Sequence, residues 1–442
     1  VTDLSGEVVQ PDSPDYDRTR QVWNAMVDRR PALIVRCSTP DDVASAIRHA
    51  RENDLELSVR CGGHSVVGHG IADGGLVIDL RPMDRVTVDP DARRARVRGG
   101  ALLGALDRAS LPLGLGTTAG NVSHTGVGGL TLGGGMGWLA RQHGLTCDNV
   151  VSFEVVTADG RTVRASEDEN PDLFWGLRGG GGNFGVVTDF EFRLHDVAGP
   201  TTQTIFTFPL DAAADAMRGW RELAATAPRQ CTLTAWVGDL GDGPHVDLGF
   251  VWVGDPTGMV ELTEALRDLR PSGGQIIERS YLELQQMDDY DLEAPHHRRY
   301  WKGHFLTELS DDAIETFILR GSPDGTGDLP YASFQAYGGA IADVPDDATA
   351  FSGRDTVFEF VSATRWTDPA EDEWRLQVAR RYGAAMEPFA NGVYVNSLVD
   401  EGAAGVRRAY SPEKLARLTT LKDAWDPDNV FHLNQNIAPS GH

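Results

Sequence analysis

A chain of 442 residues exceeds what one hydrophobic core usually organises, so two domains are expected. Hydrophobic residues at 41% and charged residues at 24% describe ordinary globular composition and exclude a disordered chain. A net charge of −25 repels polyanions, which excludes nucleic acid and anionic membrane surfaces as partners. Lysine occurs only at Lys302, Lys414 and Lys422, so arginine carries the positive charge. Cys37, Cys61, Cys147 and Cys231 are too scattered for a disulfide framework or a paired metal site. No apolar run approaches the ~18 residues of a membrane span. The start, Val1-Thr2-Asp3-Leu4, has neither a basic nor an apolar leader segment, so a cytoplasmic protein is expected.

In chain order, residues 17–28 read as a helix, 32–35 as a strand, and a second helix starts near Pro40. Asp41 and Asp42 suit the positive end of that helix, and Val43, Ala46, Ile47 and Ala50 give it one apolar face. The apolar run 55–59 then stops abruptly at Arg60-Cys61-Gly62-Gly63-His64-Ser65. A glycine pair at a strand end lets backbone N–H groups approach an anion, because no Cβ intervenes. The histidine that follows is held at the edge of whatever binds there. Residues 77–80, 86–88 and 95–97 are further short strands, and 101–109 form a small helix.

Glycine is densest between 114 and 137, in runs around Gly114 to Gly120, Gly126 to Gly129 and Gly133 to Gly137, and it returns at 179–185 ahead of an alternating strand, 186–192. From about 196 it thins. Strands at 204–208, 231–237 and 246–253 alternate with helices at 212–225 and 258–269, which suggests a separate α+β domain. The tail at 425–436 is polar and aromatic and reads as docked. Loops this rich in glycine suit a pyrophosphate, which backbone amides solvate where side chains are absent. Gly135-Met136-Gly137-Trp138-Leu139-Ala140 fits a G-x-G-x-x-G fingerprint loosely, with Glu154 as its acidic residue. A cradle built from several loops between 62 and 185 fits better, since the last loop feeds a strand instead of a helix.

Five stretches carry a family resemblance: Arg60 to Ser65, the glycine block 126–137, Gly144 to Val150, Leu173 to Gly185, and Asn434-Gln435-Asn436-Ile437. In type and order they resemble the berberine-bridge-enzyme-like FAD-linked oxidases, a branch of the vanillyl-alcohol-oxidase/p-cresol-methylhydroxylase superfamily. The resemblance covers essentially the whole chain. It implies an α+β, two-domain FAD-binding fold of the p-cresol-methylhydroxylase type with an α+β substrate domain. Residues 1–195 would bind FAD, 196–400 would roof the substrate, and 401–442 would return to the FAD domain. Carried over by position, the cofactor residues are Arg60, Cys61, Gly62, Gly63, His64, Ser65, Thr117, Thr118, Gly120, Asn121, Gly126, Gly128, Gly129, Gly137, Asp148, Gly185, Val187, Asn434 and Asn436. His64 takes the position bonded to the flavin 8α carbon, a link that fixes the ring and raises its potential.

The departures matter as much. Where many members bond the flavin a second time through cysteine, this chain has Val122, so a single covalent link is expected. His124-Thr125 resembles the monocovalent bacterial branch of enterocin-pathway type, which forms a flavin N-oxide; a threonine hydroxyl can hydrogen-bond dioxygen, whereas an alkyl group cannot. At the two usual base positions stand Gln335 and Ser397, neither able to accept a proton usefully at neutral pH. His124, Thr125, Tyr394 and, from a dense polar and aromatic run (Tyr290, His296, His297, Tyr300, Lys302, His304), Tyr300 and Lys302 are the catalytic candidates. That run reads as a pocket lining or as a solvated surface. No metal-ligand spacing appears, so no metal is implied.

The expectation is an FAD-linked oxidase that takes a small, secondary-metabolite-like organic substrate and O₂. Three alternatives stay open: a monooxygenase acting on a polyketide-like substrate through a flavin–oxygen adduct, a carbohydrate oxidase, and a catalytically silent flavin-binding protein. Substrate identity and oligomeric state are not readable from the residues.

Overall fold

The computed structural model describes residues 4–197, 199–287, 289 and 297–441. Tyr290 and His296 lie outside the described residues. Three sheets carry the architecture. In the first, strands Leu33–Arg36, Leu76–Asp79 and Leu57–Arg60 run parallel, and Glu7–Val9 pairs antiparallel at one edge. The central Leu76, Val77 and Ile78 are fully buried, as expected of a parallel strand covered on both faces. The crossover is the helix Pro40–Glu52, started by proline and by a reciprocal cap in which Thr39 Oγ1 accepts from Asp42 N and Asp42 accepts from Thr39 N.

The second sheet is antiparallel, with strands Val86–Asp89, Arg94–Arg98, Val186–Arg193, Val150–Val156 and Thr162–Ser166 in that order. The third has seven antiparallel strands: Gly273–Arg279, Thr201–Pro209, His245–Val253, Cys231–Gly238, Tyr331–Ala336, Phe358–Trp366 and Arg298–Leu306. Its period of two sends Phe334, Phe358 and Phe360 to one face, where they pack with Trp220, Phe317 and Tyr382 from the helices Leu210–Thr226, Asp311–Leu319 and Asp372–Met386. The opposite face carries the alternate residues of the same strands. After this sheet the chain returns, and Val393, Tyr394, Leu418 and Leu421 share a core with Leu173, Phe184 and Phe190.

The tail is tied down by one buried cation. Lys422 Nζ pairs with Asp426 at 2.7 Å and donates to the carbonyls of Asn183 (2.9 Å) and Phe431 (3.0 Å). This fixes the terminal segment beside the glycine run at 179–185.

One local expectation fails. Of the helix read over 17–28, only Tyr16–Arg20 forms. Beyond it the side chains are committed elsewhere: Asn24 Nδ2 donates to Val66 O at 2.7 Å and Arg299 O at 2.9 Å, and Trp23 stacks on His64. Tertiary bonds outweigh local helix propensity here. Among the described residues, no helix is long and apolar enough to cross a membrane.

Candidate active site

A cavity of about 640 Å³ lies at the carboxyl end of the Leu57–Arg60 strand, between the first two sheets and the open face of the seven-stranded sheet. That position follows from topology, since loops leaving parallel strands frame a crevice. Arg60, though on the wall, is occupied by Asp79 at 2.8 Å, so it anchors the strand end. Gly63 then turns the chain at φ +70, a conformation that favours glycine. Gly62 meets Gly126 backbone to backbone: a Cβ on Gly62 would stand 2.3 Å from Gly126 N. The two glycine loops are thus interlocked, and His64 projects from the first beside Thr125 of the second.

His64 is held on three sides. Its ring stacks on Trp23, with centroids 4.6 Å apart and planes inclined by 16°. Its Nε2 lies 2.7 Å from His124 Nδ1, while its Nδ1 has only the distant Thr125 Oγ1 at 3.5 Å. Desolvation first, then the neighbouring His124 and Arg299, push the imidazole down to about 3, so it is neutral at physiological pH. Cys61 is also on the wall, but burial pushes its thiol up to about 11 and its Sγ faces Ala101 O at 3.4 Å. It is therefore not a ready nucleophile.

The roof is the open face of the large sheet, which presents Trp301, Ser333, Gln335, Glu359 and Val361. Ser333 pairs across the ladder with Val361, and Gln335 with Glu359. Glu359 is 7% exposed and accepts hydrogen bonds from Tyr337 Oη (2.8 Å) and Ser397 Oγ (3.0 Å). Burial raises its carboxyl to about 7. Tyr394 reaches the wall from the returning segment; its hydroxyl accepts from Gly135 N (2.8 Å) and Asn396 Nδ2 (2.9 Å), and burial raises its pKa.

Several buried polar atoms on this wall have no protein partner among the described residues: both ring nitrogens of His69, Oδ1 of Asn121 and Asn434, and Nε2 of Gln335. Buried polar groups are rarely left unsatisfied. Together with the bare backbone at Gly129 and Gly182, where a Cβ would meet nothing within 4 Å, they fit a large ligand with polar and flat aromatic parts. FAD has both.

Comparison with known proteins agrees. Residues 31–166 match the family model described as FAD binding domain, and residues 393–438 match that described as berberine and berberine like. An uncharacterized FAD-linked oxidoreductase of Bacillus subtilis is 31% identical, the alignment covering 99% of this chain and 98% of that protein. The chain belongs to the berberine-bridge-enzyme-like family. It is an FAD-linked oxidoreductase with the fold of the p-cresol-methylhydroxylase-type oxidases. Among solved structures, 6-hydroxy-D-nicotine oxidase of Arthrobacter nicotinovorans superposes with a TM-score of 0.87 at 29% identity, covering 99% of this chain and 98% of that one. Glucooligosaccharide oxidase of Acremonium strictum, whose structure is described as revealing a novel flavinylation, gives 0.88 at 25% identity, over 98% and 96%.

Of this family member's expected cofactor residues, 60–65, Gly120, Asn121, Gly126, Gly128, Gly129, Gly185, Val187 and Asn434 line the cavity, as do Val122, Thr125 and Tyr394. His124 stands behind His64. Thr117, Thr118, Gly137, Asp148 and Asn436 are not on the wall. Thr118 Oγ1 donates to Gly144 O at 2.6 Å, and a Cβ on Gly137 would meet Ala119 O at 1.7 Å, so both serve loop packing. Asp148 makes a two-pronged pair with Arg354, at 2.7 Å on each oxygen.

Tyr300 and Lys302 are also misplaced by the sequence reading. Trp301 faces the cavity, so strand alternation turns Tyr300, Lys302 and His304 to the helix side. There Tyr300 Oη donates to Asp400 at 3.0 Å, Lys302 Nζ pairs with Asp400 and Glu401 at 2.6 Å each, and His304 Nε2 bonds Gly383 O at 2.8 Å. Glu359 lies between Phe358 and Phe360 on a strand, and nothing local in the sequence marks its face as the one lining the cavity. Among the described residues, no group of His, Cys, Asp or Glu is arranged to hold a metal ion.

Proposed function

We propose that this protein carries one FAD bonded through its 8α carbon to His64, and oxidises a small hydroxyl-bearing organic molecule with O₂ as final electron acceptor. One observation carries the reading: a neutral imidazole on the cavity wall whose Nε2 is engaged by His124 and whose Nδ1 has no close partner in the described protein. When Nε2–H donates to His124, Nδ1 bears the lone pair, which makes it the nitrogen available for the bond. Val122 on the wall offers no thiol, which supports a single link. Residues 1–195 with 401–442 would hold the cofactor and 196–400 the substrate.

FAD supplies the two-electron acceptor and passes the electrons to O₂. The chain supplies the remainder. The interlocked glycine loops offer backbone amides to the diphosphate, Trp23 and His124 fix the His64 ring, and Tyr394 is held in one orientation by Gly135 and Asn396. The substrate lies against Trp301, Ser333, Gln335 and Val361. Gln335 and Ser397 stand where the carbohydrate oxidases hold their base, so the proton acceptor here differs from theirs.

Acid precipitation tests the link: the pellet stays yellow for the wild type and turns colourless for His64→Ala, with flavin in the supernatant. Bleaching of the bound flavin by an added alcohol, and peroxide on readmission of air, test the oxidase reading. Thr125 Oγ1, on the wall beside His64, supports one second reading, oxygen insertion. Oxygen-18 from O₂ appearing in the product would decide for it.

A further inference from the structure

The carboxylate missing at position 335 is present one strand away. Gln335 and Glu359 are directly opposed in the antiparallel ladder between Tyr331–Ala336 and Phe358–Trp366, and both line the cavity. Opposed side chains in such a ladder lie about 5 Å apart at Cβ, so a carboxyl on either strand serves the same volume. Position 397 accommodates the change. Its serine donates to Glu359 at 3.0 Å, and its Cβ already lies 2.6 Å from where a Cβ on Gly303 would be, so this crowded site suits a small residue.

We propose that Glu359 is the catalytic base of the oxidation, taking the hydroxyl proton of a neutral alcohol held between it and the Gln335 amide. This rests on the flavin reading above. The electron balance is simple. The substrate C–H bond breaks with its electron pair leaving as hydride to the flavin, the O–H bond breaks with its proton going to Glu359, and C=O forms. O₂ takes the two electrons with the hydride's proton and the proton returned by Glu359, and leaves as hydrogen peroxide.

The surroundings suit the task. Gln335 Oε1 accepts from Asn121 Nδ2 at 2.9 Å, which orients the amide and leaves its Nε2 as a buried donor without a partner among the described residues. A donor and an acceptor side by side match an alcohol oxygen, which needs one of each. The titratable groups facing Glu359 among the described residues are Tyr337 and Tyr394, and neither is a cation. Its carboxyl, raised by burial to about 7, gains and returns a proton near neutral pH. Tyr337 and Ser397 are positioning residues, each donating to one of its oxygens. A carboxylate substrate would meet like charge here, so the expected class is the uncharged alcohol.

The test uses the flavin-loaded wild type, Glu359→Gln and Ser397→Ala. Infrared spectra without substrate should show a protonated carboxylic acid band that disappears with a midpoint near 7 in the wild type. The band should be absent in E359Q and its midpoint raised in S397A, because a lost donor weakens the ionised form. Anaerobic bleaching by whichever of benzyl alcohol, 1-phenylethanol and cyclohexanol reduces the wild type fastest should fall roughly 10²-fold or more in E359Q, with flavin content unchanged. A yellow E359Q that bleaches as fast as wild type overturns the base alone. Failure of all three alcohols to bleach a yellow wild type overturns the alcohol assignment, and a colourless wild type overturns the flavin reading itself. Should E359Q not accumulate, the pH profile of S397A decides: an alkaline shift supports the base, an unmoved profile rejects it.

Discussion

His64 Nε2 and His124 Nδ1 lie 2.7 Å apart, close enough that a single proton between them fixes the tautomer of both rings. The proposed link requires His64 Nε2 to carry that proton, and His124 would then act as the orienting acceptor that leaves the lone pair on Nδ1. Removing that acceptor in His124→Ala frees the ring to turn and to populate the wrong tautomer. Acid-stable flavin should then form roughly 10²-fold more slowly when apoprotein is mixed with FAD. Reversible binding of FAD should stay within a few-fold. Pellet colour against time measures the first and fluorescence titration the second; equal loss of both would mean that His124 only supports the fold.

The half of this cavity proposed to hold the cofactor is written locally, so its residues stand out in the sequence. Gly62-Gly63-His64 and the block from Gly126 to Gly129 are contiguous motifs whose chemistry depends on the absence of side chains, and contiguity survives folding. The substrate half is written in strand parity. Tyr300 and Lys302 look more functional than Trp301, yet the one-residue alternation of Arg298–Leu306 gives the cavity to Trp301. Glu359 is hidden for the converse reason: a polar residue between two phenylalanines implies solvent, and here the outer face is a roofed cavity. Asp148 pairs with Arg354 across 206 residues of sequence, a relationship no local pattern carries.

Lys302 gives the sharpest separation of these readings. Its ammonium is held by Asp400 and Glu401, with Arg380 on the same Asp400. The pairing raises the lysine pKa against the opposing effect of burial. Lys302→Ala should leave flavin reduction unchanged within twofold and lower stability by about 1 kcal/mol, a partly screened network being worth little more. Anaerobic bleaching and urea unfolding read the two effects separately.

Asp148 and Arg354 form a buried pair, with side chains 6% and 5% exposed. Removing one partner strands the other, which costs about 3–5 kcal/mol in such settings. Asp148→Ala should move the urea midpoint down accordingly with little change in slope, while flavin per mole of folded protein stays constant. A selective loss of flavin without loss of stability would return Asp148 to the cofactor site.

Thr125 sets its hydroxyl 3.5 Å from His64 Nδ1, where oxygen would meet the cofactor under the proposed link. Thr125→Val keeps the shape and deletes the hydrogen bond. Reoxidation after mixing with aerated buffer should slow roughly tenfold or more, while anaerobic reduction is unaffected, since one such donor commonly contributes that much to a developing anion. Stopped-flow absorbance separates the half-reactions. Slowing of both equally would place Thr125 in shaping the pocket.

The pH dependence of stability offers a view of Glu359 independent of turnover. Its carboxyl sits near 7 in the fold against an ordinary 4.5, and the fold therefore binds that proton more tightly than the unfolded chain does. The sign follows: the favourable contribution is complete below about 4.5 and is lost as pH rises through about 7, where the buried group must ionise. Glu359→Gln is neutral throughout and escapes this loss. Relative to wild type, the variant should gain up to about 3 kcal/mol between those limits and run parallel outside them. Urea unfolding of both holoproteins at pH values spanning about 4 to 9 gives the difference curve. A curve flat across the whole range would mean that Glu359 does not change charge in the fold.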